Sequence, residues 1–115
     1  GKGSVEKINI IEEYLSFVTR GFHSKRKLNV IVQNSGDTTI DVLPHFLQRM
    51  EIESSPDKPI DFKMEFDTDG DRLLIYDEKG KLIRGDIVGA IIADWLAKKG
   101  DTIMFDLRSS KVIKE

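Results

Sequence analysis

Three aspartates, Asp67, Asp69 and Asp71, stand at alternate positions of MEFDTDGDRLLIY (Met64–Tyr76), between two apolar runs. Three carboxylates with no nitrogen or sulfur ligand beside them offer hard oxygen donors, which suit Mg²⁺ or Ca²⁺ rather than zinc or copper. Gly70 lets the backbone turn tightly enough for the side chains to converge, where an extended strand would spread them. Arg72 adds a fixed positive charge suited to two-pronged contact with a phosphate. Carboxylates, a divalent ion and an arginine together point to phosphoryl chemistry. The same stretch also reads as a plain hairpin turn, because Asp-Gly between strands is a strong turn signal and surface aspartates cost little.

The flanking pattern specifies the elements that would hold such a loop. INIIEEYLSFVTRGF puts Ile10, Ile11, Tyr14, Leu15, Phe17 and Val18 near one helical stripe, with Gly21 as its stop. HSKRK is a solvated basic connector. LNVIVQ (Leu28–Gln33) reads as a buried strand, and NSGDTT as a polar turn. IDVLPHFLQRM has helical spacing, with Pro44 tolerated only in the first turn and Asp41 or Thr39 as cap. EIESSPDKP is a short strand at best. IDFKMEFD alternates Ile60, Phe62, Met64 and Phe66 with polar residues, so it is a strand with one apolar face. RLLIYDEKGKLI gives a strand, a turn and a short return. In GDIVGAIIADWLAKKG, Asp86 caps a helix that buries Ile87, Val88, Ile91, Ile92, Trp95 and Leu96, Lys98 and Lys99 suit its negative end, and Gly100 ends it. TIMFDL is expected as a final buried strand and RSSKVIKE as a helix start or a tail. The expected fold is α/β: a layered domain with a small mixed, mostly parallel sheet of four to five strands, in one domain spanning residues 1–115.

The totals agree with a soluble globular fold of modest core: 115 residues, 39% hydrophobic and 33% charged. A net charge of −2 argues against a nucleic-acid partner. The absence of cysteine removes disulfides, thiolate metal sites and thiol nucleophiles. No membrane partner is expected, since no apolar run has transmembrane length and no signal-peptide pattern opens the chain. GKGS at the start reads as a cloning scar or a cut inside a longer protein, and a cytoplasmic location is the default. His23, His45 and Trp95 read as structural residues. Ser35 and Gly36 read as a turn, and Ser109 and Ser110 as a helix cap.

Two other metal or phosphate motifs compete for the loop. Asp67, Asp69, Asp71 and Glu78 match positions one, three, five and twelve of an EF-hand, but Arg72 stands where position six requires glycine and the flanks read as strands. FDTDG also looks like the first motif of haloacid-dehalogenase-type phosphatases, with Asp67 as nucleophile, Asp69 as acid/base and GDTIMFD as a late acidic motif. That pattern wants threonine at position 71, and the gap between the motifs is too short for that family's core.

FDTDGDRLLIYDEKGKLIRGD closely resembles the metal-binding loop of the α-D-phosphohexomutases, the phosphomannomutase/phosphoglucomutase family, which typically reads FDGDGDR or FDGDADR. Residues 1–84 resemble that family's second domain, and residues 85–115 resemble the start of its third. The resemblance implies a magnesium-dependent enzyme that moves a phosphoryl group between the 1- and 6-positions of a hexose phosphate through a phosphoserine on another domain. By motif match Asp67, Asp69 and Asp71 would be the Mg²⁺ ligands, and Arg72 and Arg108 would lie near the reacting phosphate. Departures are Thr68 in place of a glycine, the lack of a glycine-rich run in NSGDTT, and a short connection after Met50 where the family has a further helix. That short connection leaves one sheet face bare, available to a partner such as a second copy. Without the serine loop, the sugar-specificity loop and the fourth domain, the chain alone is expected to hold no sugar phosphate and to have no mutase activity. The remaining alternative is a non-catalytic, self-associating α/β unit.

Overall fold

In chain order, the elements of this computed structural model are α1 (Ile11–Val18), β1 (Val30–Asn34), α2 (Leu43–Arg49), β2 (Phe62–Phe66), β3 (Leu73–Asp77), β4 (Leu82–Ile83) and α3 (Gly85–Leu96). The structure describes residues 1–34, 36 and 41–105. The four strands form one mixed sheet in the order β1-β2-β3-β4. β1 and β2 run parallel, from Val30 opposite Phe62 to Asn34 opposite Phe66, joined by a crossover that contains α2. β2–β3 and β3–β4 are antiparallel. The fold is therefore α/β with a mixed sheet, but one strand pair in three is parallel, not most of them. The hairpin-like passage through residues 61–77 is the reason: a few loop residues can reverse a strand, whereas a parallel return needs a crossover of a dozen or more.

Register and pleat assign the faces. Val30, Val32, Phe62, Met64, Phe66, Leu73, Ile75 and Ile83 share one face. Tyr14 and Val18 of α1, Leu43 and Phe46 of α2, and Met64 and Phe66 of β2 border a common apolar cleft of about 360 Å³ over it. Among the described residues, Val30 and Leu15 are the fully buried hydrophobic side chains. The other face mixes Ile31, Leu74, Tyr76 and Leu82 with Lys63, whose Nζ lies 3.4 Å from the Glu65 carboxylate and 5.1 Å above the Tyr76 ring. Leu74 and Leu82 on this face are exposed.

Local chemistry explains where the elements begin and stop. The Asn9 side chain accepts the Ile11 N–H at 3.0 Å to start α1, and Gly21, at φ +79°, turns the chain after its end. Pro44 falls in the first turn of α2, where its missing N–H costs nothing. Between β3 and β4, Asp77 Oδ1 accepts the N–H groups of Lys79 (3.0 Å) and Lys81 (2.8 Å), and Gly80 supplies the positive φ. Asp86 does not cap α3. The capping position is Arg84, and Asp86 sits inside the first turn, where its carboxylate accepts the Ile87 N–H at 3.0 Å. Val42 precedes α2 without a side-chain cap from Asp41, and Thr39 lies outside the described residues. Lys98, Lys99 and Gly100 follow the end of α3 rather than forming its last turn.

The larger correction concerns burial. Ile10, Tyr14 and Phe17 of the first stripe are exposed, as are Ile91, Ile92, Trp95 and Leu96 of α3. Trp95, expected in a core, is 62% exposed and lies against the Phe22 ring, tilted by 40° with 5.1 Å between centroids. Residues 101–105 form no strand; Ile103, Met104 and Phe105 are exposed, while Asp106 and Leu107 lie outside the described residues. Periodicity correctly marks an apolar face, but an apolar face is buried only if another element reaches it.

Candidate metal centre

β2 delivers the chain to Asp67 and β3 takes it away after Arg72, so the acidic loop closes the β2–β3 hairpin. The Asp67 N–H donates to the Arg72 carbonyl at 3.3 Å, and the Gly70 N–H donates to the Asp67 carbonyl at 3.2 Å. Gly70 has φ +74°, the turn conformation its sequence position called for. Asp67 Oδ1 accepts the Arg72 N–H at 3.2 Å, which anchors the first carboxylate against the last residue of the loop.

These constraints bring the three aspartates together. One carboxylate oxygen from each of Asp67, Asp69 and Asp71 lies within 4.8 Å of the other two. Cis oxygens around a bound Mg²⁺ are about 3 Å apart and opposite ones about 4 Å, with slightly larger values for Ca²⁺. Small side-chain rotations would close the set onto a cation. Asp67 Oδ2 supports the same reading: it is shut off from solvent and receives no aligned hydrogen bond, with Arg72 Nε 2.8 Å away as a charge partner only. Arg72 Nε is also 3.5 Å from Asp71 Oδ1. The residues fit a hard divalent cation.

The carboxylates are not equivalent. Burial pushes Asp67 up, but the Arg72 backbone N–H, the neighbouring carboxyls and the Arg72 charge outweigh it and hold Asp67 below the ordinary carboxylate value. Asp71 is pushed up, first by its hydrogen bond with Asp67 and then by the proximity of Asp69. Of these two, Asp71 is the one that more readily keeps a proton when no cation is present.

A shallow cavity of about 330 Å³ lies beside the loop, lined by Glu65, Phe66, Asp67, Thr68, Arg72 and Leu74. Gly36, read from the sequence as part of a simple turn, belongs to this neighbourhood. A Cβ on Gly36 would stand 2.0 Å from the Thr68 carbonyl oxygen, so only glycine fits where the chain leaving β1 presses on the acidic loop. Glycine after a strand end was the available sign, and without a fuller glycine pattern it carried little weight. Arg108, and Ser35 beside Gly36, lie outside the described residues. His23 and His45 are not part of the acidic cluster.

No family model matches the chain. The phosphomannomutase of Methanocaldococcus jannaschii is 35% identical over 140 residues, covering 95% of this chain and 31% of that protein. Phosphoglucosamine mutases match shorter stretches: that of Thermoanaerobacter sp. (strain X514) is 42% identical over 74 residues, 64% of this chain and 14% of its own length. The enzyme of Shouchella clausii is 34% identical over 80 residues, 63% of this chain and 17% of its own. The first alignment spans 140 residues but uses 95% of 115, so about thirty of its positions are residues that relative has and this chain lacks. The chain spans less than a third of the length of these relatives. In sequence it is related to the phosphohexomutases, as the acidic loop and its flanks indicate.

Proposed function

We propose that this chain is the metal-binding portion of a phosphohexomutase-type enzyme, and that Asp67, Asp69 and Asp71 hold its Mg²⁺. The observation that carries the reading is the convergence of three carboxylate oxygens within 4.8 Å on one hairpin loop, with an arginine beside them. When bound, the cation would offset negative charge on a phosphoryl group in transfer. Asp67 is anchored through Arg72 and would set the position of the ligand group. Gly36 would hold the loop's height over the sheet by backing Thr68. Arg72, fixed to the loop by its backbone, would contact a phosphate lying in the adjacent cavity. The same metal-ligand and arginine set contains no serine nucleophile and no sugar-binding surface, so the phosphoryl exchange itself would require other segments of a longer enzyme.

The test is an amide NMR titration with Mg²⁺, following Phe66–Arg72 in the natural sequence and in Asp69→Asn. Saturable shifts confined to this loop and lost in the variant are expected, with an affinity on the order of millimolar for so few ligands. Flat shifts through tens of millimolar in the natural sequence would reduce the aspartates to a turn. The 115-residue chain alone is expected to leave glucose 1-phosphate unconverted, and turnover by the purified chain would overturn that part of the reading.

A further inference from the structure

We propose that Arg72 is a built-in counter-ion of the aspartate cluster, one that stands in for a divalent cation and must withdraw when the cation binds. This rests on the cation-binding reading of the loop. A single guanidinium nitrogen, Nε, lies 2.8 Å from Asp67 Oδ2 and 3.5 Å from Asp71 Oδ1, so it spans the first and third carboxylates of the set. Oδ2 of Asp67 makes no hydrogen bond and is closed to water, so a positive charge is what satisfies it. The Arg72 side chain is 82% exposed, so charge rather than packing holds it in place. Its backbone is fixed separately, by the Arg72 N–H to Asp67 Oδ1 and the Asp67 N–H to the Arg72 carbonyl. The guanidinium can therefore leave while its Cα stays.

Two consequences follow from Coulomb's law. Without a cation, Arg72 relieves the mutual repulsion of three like charges and stabilises the closed loop. With a cation present, the same positive charge opposes a second one arriving at the same oxygens, and the carboxylates must exchange one partner for the other. Arg72 thus weakens cation binding while it preserves the geometry that the cation needs. A cation site of this kind fills only when the ion's concentration is high enough to displace the arginine.

The experiment compares Mg²⁺ titrations of the natural chain, Arg72→Gln and Arg72→Lys by amide NMR, with the Arg72 Nε–H resonance followed in the natural chain. The Arg72 side chain is exposed and packs into no core, so its replacement leaves the fold intact, and unperturbed amide shifts outside the loop check this. Arg72→Gln is expected to bind Mg²⁺ about five- to tenfold more tightly, from removal of one repelling charge in a solvent-exposed setting. The gap should narrow in raised salt, which screens exposed charges. Arg72→Lys, which keeps the charge, should stay within about twofold of the natural chain. The Nε–H signal should move with the same midpoint as the Asp67–Asp71 amides. Equal or weaker binding by Arg72→Gln overturns the proposal and leaves the cation site standing. No saturable binding by either protein overturns both this proposal and the metal reading beneath it.

Discussion

Asp61 shows how much a single charged residue can organise here. Its Oδ2 accepts the Asn29 N–H at 2.8 Å, its own N–H donates to the Asn29 carbonyl at 2.8 Å, and its Oδ1 pairs with Arg26 at 2.6 Å. The hydrogen bond from Arg26, and then that from the Asn29 backbone, hold the Asp61 carboxyl below its ordinary value of 3.8. A carboxyl whose value is lowered in the folded state favours folding most where it is ionised in both states, above about pH 4. That contribution declines as the pH falls below 3.8 and towards the folded value. Asp61→Asn is therefore expected to lower the urea midpoint at pH 7, with the difference from the natural chain shrinking as the pH is lowered below 4. A difference that stays constant from pH 7 to pH 3 would remove the charge from the account.

At the scale of elements, the exit from α2 stands out. The Ile52 N–H donates to the Leu47 carbonyl at 2.9 Å and the Glu51 N–H to the Gln48 carbonyl at 3.1 Å, which is the paired pattern of a Schellman motif. The residue in the left-handed position of that motif is usually glycine, and here it is Glu51 at φ +54°. Glu51→Gly is expected to raise stability by about 1 kcal/mol, since relief of that strain exceeds the added freedom of the unfolded chain. Denaturant unfolding measures it, and a lower midpoint in the variant would contradict the account. The segment that follows, 52–61, has little regular structure and is instead held by Asn29. The Asn29 side chain donates to the carbonyls of Ser55 (2.9 Å) and Pro59 (3.1 Å) and accepts the Ser55 N–H at 2.8 Å. One buried polar side chain thereby does for this crossover what ladder bonds do for a strand.

The molecule as a whole is open. Its radius of gyration is 17.6 Å, against roughly 13 Å for a compact domain of this length. Its accessible surface is 10006 Å², against roughly 6,400 Å² for a folded chain of this mass. Exposed Ile91, Ile92, Trp95 and Leu96 on α3, and Leu74 and Leu82 on the sheet, account for part of that excess and give other surfaces something to bury. We therefore propose that the 115-residue chain self-associates in solution. Light scattering after gel filtration should give a mass that rises from one chain towards two as concentration increases through the micromolar range. A single-chain mass throughout would exclude it.

Several features were decided by the sequence because they depend on neighbours along the chain. The spacing of Asp67, Asp69 and Asp71 around Gly70 determined a tight acidic hairpin loop, since a two-strand reversal and its turn chemistry are local. The helices around Leu15, Phe46 and Ile91 were legible for the same reason: a 3.6-residue period needs no partner to be recognised. Tertiary structure decided the rest. Whether Trp95 or Ile92 is buried depends on what packs against α3, which no period within α3 records. The balance of strand directions depended on which strands pair across the sheet. Gly36 gained its meaning from Thr68, thirty-two positions away, and Arg72 its place between two carboxylates from a loop closed by the backbone pairing of Asp67 and Arg72. Residue type and spacing specify which groups can act together; only the folded chain brings them within ångströms of one another.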